Sequence, residues 1–100
     1  MVHAYVQDVP IDAATYTRIT DALGEEPLAG SLVHLCVRNP AGGLRYIDVW
    51  ESAEACSRAF DERVHPAVDA AFAGHRPPEP HVEHLEVLDL RGALVPVQPK

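Results

Sequence analysis

Two side chains suited to proton transfer, His34 and Asp48, lie on consecutive predicted strands. Residues 31–38 and 44–51 have strand-like compositions, and the proline and glycines of residues 39–43 between them indicate a β-hairpin. A hairpin symmetrical about this turn places His34 opposite Asp48, within cross-strand contact distance. A carboxylate beside an imidazole favours the charged ring and makes it a useful proton carrier. His34 and Asp48 are therefore the candidate catalytic pair, although such pairs more often serve as structural polar links.

Aromatic and imidazole side chains recur on the same alternation of the predicted strands. The set comprises Tyr5, Tyr46, Trp50 and His84. Because alternate residues of a strand point to one face of a sheet, we expect these side chains to share a face with His34. They are candidate ligand-binding residues for a small, partly aromatic molecule, since aromatic walls with few polar groups are typical of pockets. Tyr and Trp also anchor protein interfaces, so burial against a second subunit is the structural alternative.

The sequence predicts no metal site and no cofactor. His34, His84, Asp48 and Glu86 have the ligand types of a facial-triad iron site. However, no H-x-H or H-x-x-x-H spacing within one strand or helix brings these ligands together, and neither cysteine has C-x-x-C spacing. Glycine-rich phosphate loops and the nucleophile elbow of serine hydrolases are also missing from the sequence.

Composition and charge exclude several other classes of protein. The chain is 47% hydrophobic and 23% charged, which is ordinary for a globular protein. Its formal net charge of -7 and its scattered basic residues disfavour nucleic acid and anionic membranes as partners. No apolar run is long enough to span a bilayer, and the first residues do not resemble a signal peptide. We therefore expect a cytoplasmic protein.

The predicted elements that position these residues follow the order β-α-β-β-α-β. The strands are predicted at residues 2–7, 31–38, 44–51 and 82–90, with one helix from the Asp12 cap to Gly24. A second helix is predicted to begin after Ser52 and to break near Val64 because of Pro66. A short helix then continues to residue 72, and His65 is interpreted as a helix-end residue. This order is typical of a ferredoxin-like α+β fold, with a four-stranded antiparallel sheet and both helices on one face.

A sheet covered on one face only predicts a homodimer. The strands carry Val, Leu and Ile on both alternations, so a second subunit is the natural cover for the open face. Residues 1–90 are predicted to form a single domain. The apolar, proline-containing tail 91–100 is unsuited to a central strand, and we expect it to pack on the partner subunit.

Several short segments resemble the dimeric α/β-barrel superfamily, particularly small proteins related to antibiotic-biosynthesis monooxygenases. The resemblance rests on Gly30 and His34, on residues 48–52 (Asp-Val-Trp-Glu-Ser), and on Phe60 in the following helix. It implies a homodimer whose two sheets face each other as a barrel, with a small-molecule pocket between sheet and helices in each subunit. Because relatives differ in their chemistry, it does not imply one activity.

Three functions remain open at this point. The first is a dimeric α/β-barrel protein that binds a small, partly aromatic molecule. The second is a cofactor-independent monooxygenase or an isomerase that uses His34 with Asp48. The third is a purely structural dimerisation module, in which the aromatic side chains serve only to join subunits.

Overall fold

Four antiparallel strands form one sheet, and the helices connect them in the order that the sequence predicts. The computed structural model describes residues 2–75 and 80–92. The elements are β1 (His3–Val9), α1 (Ala13–Leu23), β2 (Ser31–Arg38), β3 (Leu44–Trp50), α2 (Ala53–Ala59), a π-helical turn (Phe60–Val64), α3 (His65–Ala71) and β4 (Val82–Leu85). The strand order across the sheet is β2-β3-β1-β4. This arrangement is the expected ferredoxin-like α+β fold.

Local side-chain caps explain where two of the helices begin. Asp12 precedes α1, and its carboxylate accepts a hydrogen bond from the Thr15 amide at 2.7 Å. Ser52 precedes α2, and its hydroxyl accepts a hydrogen bond from the Ala55 amide at 3.1 Å. Each cap satisfies an amide that has no partner within the helix, which typically stabilises a helix by about 1 kcal/mol.

The second helical segment does not break before Pro66, in contrast to the prediction. The backbone stays helical from α2 into α3 through the π-helical turn, in which the His65 amide donates to the Phe60 carbonyl. Proline lacks an amide hydrogen, and its ring crowds the carbonyl four residues earlier. That carbonyl belongs to Glu62, inside the wider turn, so the turn accommodates the proline where the sequence predicts a break.

Strand β4 is shorter than the predicted strand 82–90. Its pairing with β1 runs from Val82 opposite Gln7 to Leu85 opposite Ala4. Because β1 begins at His3, the chain beyond Leu85 soon has no strand to pair with. The predicted tail falls mostly on residues 93–100, which lie outside the described residues.

The close approach of β2 to α2 depends on a glycine. Gly30 has φ +87°, and a Cβ atom there would lie 2.5 Å from the Ala55 Cβ. Its carbonyl accepts a hydrogen bond from the Glu51 amide at 2.8 Å, which ties the start of β2 to the end of β3. Only glycine fits both the backbone angle and the close contact.

The two faces of the sheet have different surroundings. Tyr5 and Trp50 point toward the helices and pack with Cys56 and Ala59 of α2 in the hydrophobic core. The opposite alternation carries apolar side chains that the helices do not cover. Its exposed members include Leu35, Val37 and Leu85. The inner face therefore holds the core and the candidate site residues, while the outer face remains apolar and open.

Candidate functional site

A chain of hydrogen bonds links a buried carboxylate on β3 to a tyrosine on α1. His34 pairs with Asp48 in the register of the hairpin, as the turn predicts, and the His34 Nδ1 lies 2.5 Å from the Asp48 Oδ1. The His34 Nε2 lies 2.7 Å from the Tyr16 Oη. Because a carboxylate only accepts, a neutral His34 donates through Nδ1–H to Asp48 and accepts the Tyr16 hydroxyl hydrogen at Nε2. Asp48 thus fixes the tautomer of the ring.

Burial differs along this chain of hydrogen bonds. Asp48 is 4% exposed, whereas the His34 side chain is 42% exposed. The imidazole therefore lies between a buried acid and solvent. That position suits a proton carrier, and it equally suits a group that neutralises a buried carboxylate.

Tyr46 and Cys36 complete a group that we call the relay cluster, defined as Tyr16, His34, Cys36, Tyr46 and Asp48. The Tyr46 ring centroid lies 5.6 Å from those of both Tyr16 and His34. Burial raises the pKa of the Tyr16 phenol to about 12, and the nearby Cys36 and Asp48 act in the same direction. Burial likewise raises the pKa of Tyr46 above its ordinary value. Both phenols therefore stay protonated at neutral pH.

A cleft of about 280 Å³ lies on the other half of the same sheet face, between β1 and β4 on one side and the second helical segment on the other. We call it the β1–β4 cleft. Its ring-bearing and acidic lining residues are His3, Tyr5, Phe60, Asp61, His65 and His84. The volume lies just below the range of about 300–1,000 Å³ that is typical of small-molecule pockets.

The π-helical turn forms one wall of this cleft. Phe60 and Asp61 lie in the turn, and His65 follows it directly. The Phe60 and His65 rings meet edge to face, with centroids 5.5 Å apart. On the opposite wall, the His3 and His84 ring centroids lie 5.1 Å apart. π-Helical turns are frequent at functional sites, and here the turn brings three lining residues together.

Tyr5 and Trp50 connect the cleft to the core. Tyr5 lines the cleft. Trp50 packs with Tyr5 in the hydrophobic core and is 2% exposed. Burial raises the pKa of the Tyr5 phenol well above its ordinary value, and the nearby Asp48 carboxylate adds to the increase. The Trp50 Nε1–H makes no hydrogen bond to any residue that the structure describes. The Tyr5 phenol therefore remains a hydrogen-bond donor.

The predicted site residues share one sheet face but form two groups. His34, Asp48 and Tyr46 belong to the relay cluster, whereas Tyr5 and His84 line the cleft. Trp50 lies in the core behind the cleft. The structure thus separates the candidate catalytic pair from two of the candidate ligand-binding residues.

Sequence reasoning missed two contributions from the helices. Tyr16 is not among the predicted site residues, yet its hydroxyl lies 2.7 Å from the His34 Nε2. A tyrosine on the inner face of an amphipathic helix was the available signal, because its hydroxyl needs a partner when buried. His65 was interpreted as a helix-end residue, and it lines the cleft because the helix continues past Pro66.

Within residues 2–75 and 80–92, no three His, Cys, Asp or Glu side chains form a metal-binding group.

Comparison with known proteins supports the predicted fold. No family model matches the chain, and no curated protein matches it. A solved structure from Chloroflexus aurantiacus J-10-fl, which carries the provisional name antibiotic biosynthesis monooxygenase, superposes with a TM-score of 0.63. The alignment has 16% sequence identity and covers 92% of this chain and 98% of the other. The chain therefore has the same ferredoxin-like α+β fold as that structure, as predicted. Among the described helices, none is long and apolar enough to cross a bilayer.

Proposed function

We propose that this protein is a homodimer that binds a small, partly aromatic molecule in the β1–β4 cleft of each subunit. The observation that carries the proposal is the division of the sheet. Imidazole and aromatic rings line a cleft between the inner face and the helices, while the outer face is apolar and uncovered. One face thus suits a ligand, and the other suits a second subunit.

The lining of the cleft suggests the charge of the ligand. Three histidines, Tyr5 and Phe60 offer ring surfaces and hydrogen-bonding groups. No Lys or Arg is present in the lining among the residues that the structure describes, and Asp61 is its only carboxylate there. A strongly anionic ligand would lack a permanent countercharge in this cleft. We therefore favour a neutral or weakly acidic ring compound.

A fluorescence titration of Trp50, the only tryptophan of the chain, tests binding in the cleft. Hydroxylated and keto-substituted bicyclic compounds are titrated against the wild type and two histidine variants. His84→Ala removes a lining ring, and His75→Ala removes an exposed histidine elsewhere. We expect His84→Ala to weaken binding about fivefold, as for one lost ring contact, and His75→Ala to have no effect. Equal affinities for both variants, or no saturable binding, would favour the purely structural module.

The dimer is part of the same proposal. Leu35 is 48% exposed on the outer face, and Val37 and Leu85 are also exposed there. Two such faces stack at about 10 Å in sheet-on-sheet packing and remove these side chains from water. We also propose a cytoplasmic location, with which the free thiols of Cys36 and Cys56 are compatible.

Light scattering at micromolar concentration tests the dimer. We expect twice the chain mass for the wild type and the chain mass for Leu35→Lys, because a charge at the centre of an apolar interface has no partner. Thr17→Lys on the exposed surface of α1 adds the same charge elsewhere and should leave the dimer intact. A wild-type monomer would contradict the proposal.

The relay cluster supports a second candidate function, which is a proton-transferring enzyme such as an isomerase or a cofactor-independent monooxygenase. The supporting observation is the orientation of His34 by Asp48, which makes Nε2 the basic nitrogen. Nε2 accepts from the Tyr16 hydroxyl in this structure, so a substrate would displace that hydroxyl. In an isomerisation, His34 would accept a proton from carbon next to a carbonyl and return it to another carbon, so that no other reactant is consumed. Deuterium exchange into a bound aromatic ketone, lost in His34→Ala but retained in His75→Ala, would support this function. Equal exchange in both variants would exclude His34 as the base.

A further inference from the structure

The three tyrosines of the chain differ in what their hydroxyls contact. The Tyr16 Oη lies 2.7 Å from the His34 Nε2, and the His34 Nδ1 lies 2.5 Å from the Asp48 Oδ1. Among the residues that the structure describes, neither Tyr5 nor Tyr46 has a hydrogen bond from its hydroxyl to an imidazole or a carboxylate. Tyr16 is therefore the one phenol of the three with a base at its hydroxyl hydrogen.

A base at this position changes how a phenol loses an electron. Removal of an electron alone leaves a phenol radical cation, which is a strong acid and a high-energy product in a partly buried site. When the hydroxyl proton moves to a neighbouring base in the same step, the product is a neutral tyrosyl radical. The pKa of Tyr16 is raised to about 12, so the hydroxyl hydrogen is present at neutral pH and available for this transfer.

His34 and Asp48 are suited to receive that proton. Nε2 is the acceptor of the neutral ring, because Nδ1–H donates to Asp48. The imidazolium that forms after the transfer lies against a carboxylate that is 4% exposed, and opposite charges attract strongly where water is excluded. Asp48 thus acts through His34 as a positioning residue. Tyr16 stays in place during this transfer, whereas a substrate of an isomerase would have to displace its hydroxyl.

The relay cluster is open to small oxidants in solution. The His34 side chain is 42% exposed, and Tyr16 is partly exposed. By contrast, the rings of Trp50 and Tyr5 are buried in the core. No member of the relay cluster lines the β1–β4 cleft, so chemistry at Tyr16 does not require a ligand there.

We propose that Tyr16 is a redox-active tyrosine that reduces small peroxyl radicals, with His34 as its proton acceptor. Tyr16 gives one electron to the peroxyl radical, and its hydroxyl proton moves to the His34 Nε2. The products are a hydroperoxide anion, the neutral Tyr16 radical and the His34 imidazolium. The imidazolium then releases its proton through water to the anion, so the net change is transfer of one hydrogen atom from Tyr16 to the radical. This activity goes beyond the proposed function.

Pulse radiolysis tests the proposal, with the trichloromethylperoxyl radical as oxidant and the absorbance of the tyrosyl radical as signal. We expect the wild type to react at least about tenfold faster than Tyr16→Phe. His34→Gln should lose as much rate, because an amide keeps the hydrogen bonds but does not take the proton. Tyr46→Phe is the matched control, since it removes a neighbouring phenol without a base, and it should react as fast as the wild type.

A second measurement uses the unaltered chain. The wild-type rate should be lower in D2O than in H2O, because the proton moves with the electron. Circular dichroism checks that each variant is folded before its rate is compared. A wild-type rate in Tyr16→Phe or in His34→Gln, a loss in Tyr46→Phe as large as in Tyr16→Phe, or equal rates in D2O and H2O would each overturn the proposal. None of these results bears on ligand binding in the cleft.

Discussion

The relay cluster and the β1–β4 cleft occupy two halves of one sheet face, and they differ in how their polar groups are satisfied. In the relay cluster, Asp48, His34 and Tyr16 bind one another at 2.5 and 2.7 Å. In the cleft, the imidazole rings surround open space, and the Trp50 donor behind it has no acceptor among the described residues. The polar groups of the first region bind one another, whereas the second region contains open space that a ligand could enter.

This difference explains why residues of the same chemical type are assigned different roles. A satisfied network of buried polar groups stabilises one arrangement of the fold, and its removal costs stability. Rings that line an open cleft can contact a ligand, so their removal costs binding. The contrast therefore predicts that substitutions in the relay cluster act mainly on stability, while substitutions in the cleft act mainly on binding.

The largest expected effect is on folding, from His34→Ala. The variant leaves the buried Asp48 carboxylate without its imidazole partner, although water reaches part of the site because His34 is partly exposed. We expect the free energy of unfolding to fall by about 2 kcal/mol in urea denaturation at fixed protein concentration.

His84→Ala is the matched control, since His84 is also an exposed histidine on the inner face but lines the cleft. We expect its unfolding free energy to remain within about 0.5 kcal/mol of the wild type. Equal losses for the two variants would remove the distinction between a satisfied cluster and an open cleft.

An alkaline titration tests the burial that both regions share. The three tyrosines of the chain are Tyr5, Tyr16 and Tyr46, and burial raises the pKa of each phenol. The unfolded chain loses these protons near pH 10, whereas folded Tyr16 retains its proton to about pH 12. The contribution of the three phenols to the free energy of unfolding is therefore fully present below about pH 10, and it declines as the pH rises toward 12.

Tyrosinate absorbance near 295 nm provides the measurement. We expect no phenol to titrate near pH 10 in the folded protein, and all three to titrate there in concentrated guanidinium chloride. A tyrosine that titrates near pH 10 in the folded state would show that its hydroxyl is solvated. That result would place the corresponding region at the surface.

The sequence predicts most of the fold because its signals are local. Residues 31–38 and 44–51 alternate around a proline- and glycine-containing turn, and the structure has β2 and β3 there in the predicted register. Asp12 and Ser52 mark the helix starts in the same way. The end of β4 was not predictable from its own residues, because it depends on where β1 begins.

The candidate site was only partly predictable, because it depends on which helix covers which strands. Alternation along β1 and β3 correctly groups Tyr5, Tyr46, Asp48 and Trp50 on one face. It contains no information on where α1 and α2 pack above that face. The division into two regions follows from this packing, which puts Tyr16 over His34 and Cys56 over Tyr5.

The smallest expected effect compares two hydroxyl deletions on either side of this division. Tyr16→Phe removes the hydrogen-bond donor to the His34 Nε2 and keeps the ring, so we expect a loss of about 1 kcal/mol in unfolding free energy. Tyr5→Phe removes a hydroxyl that lies beside the Cys56 thiol, which is a weak acceptor, so we expect a smaller loss, of about 0.5 kcal/mol or less. Urea denaturation of both variants measures the difference directly. A larger loss for Tyr5→Phe would mean that its hydroxyl already has a strong internal partner and is less available to a ligand in the cleft.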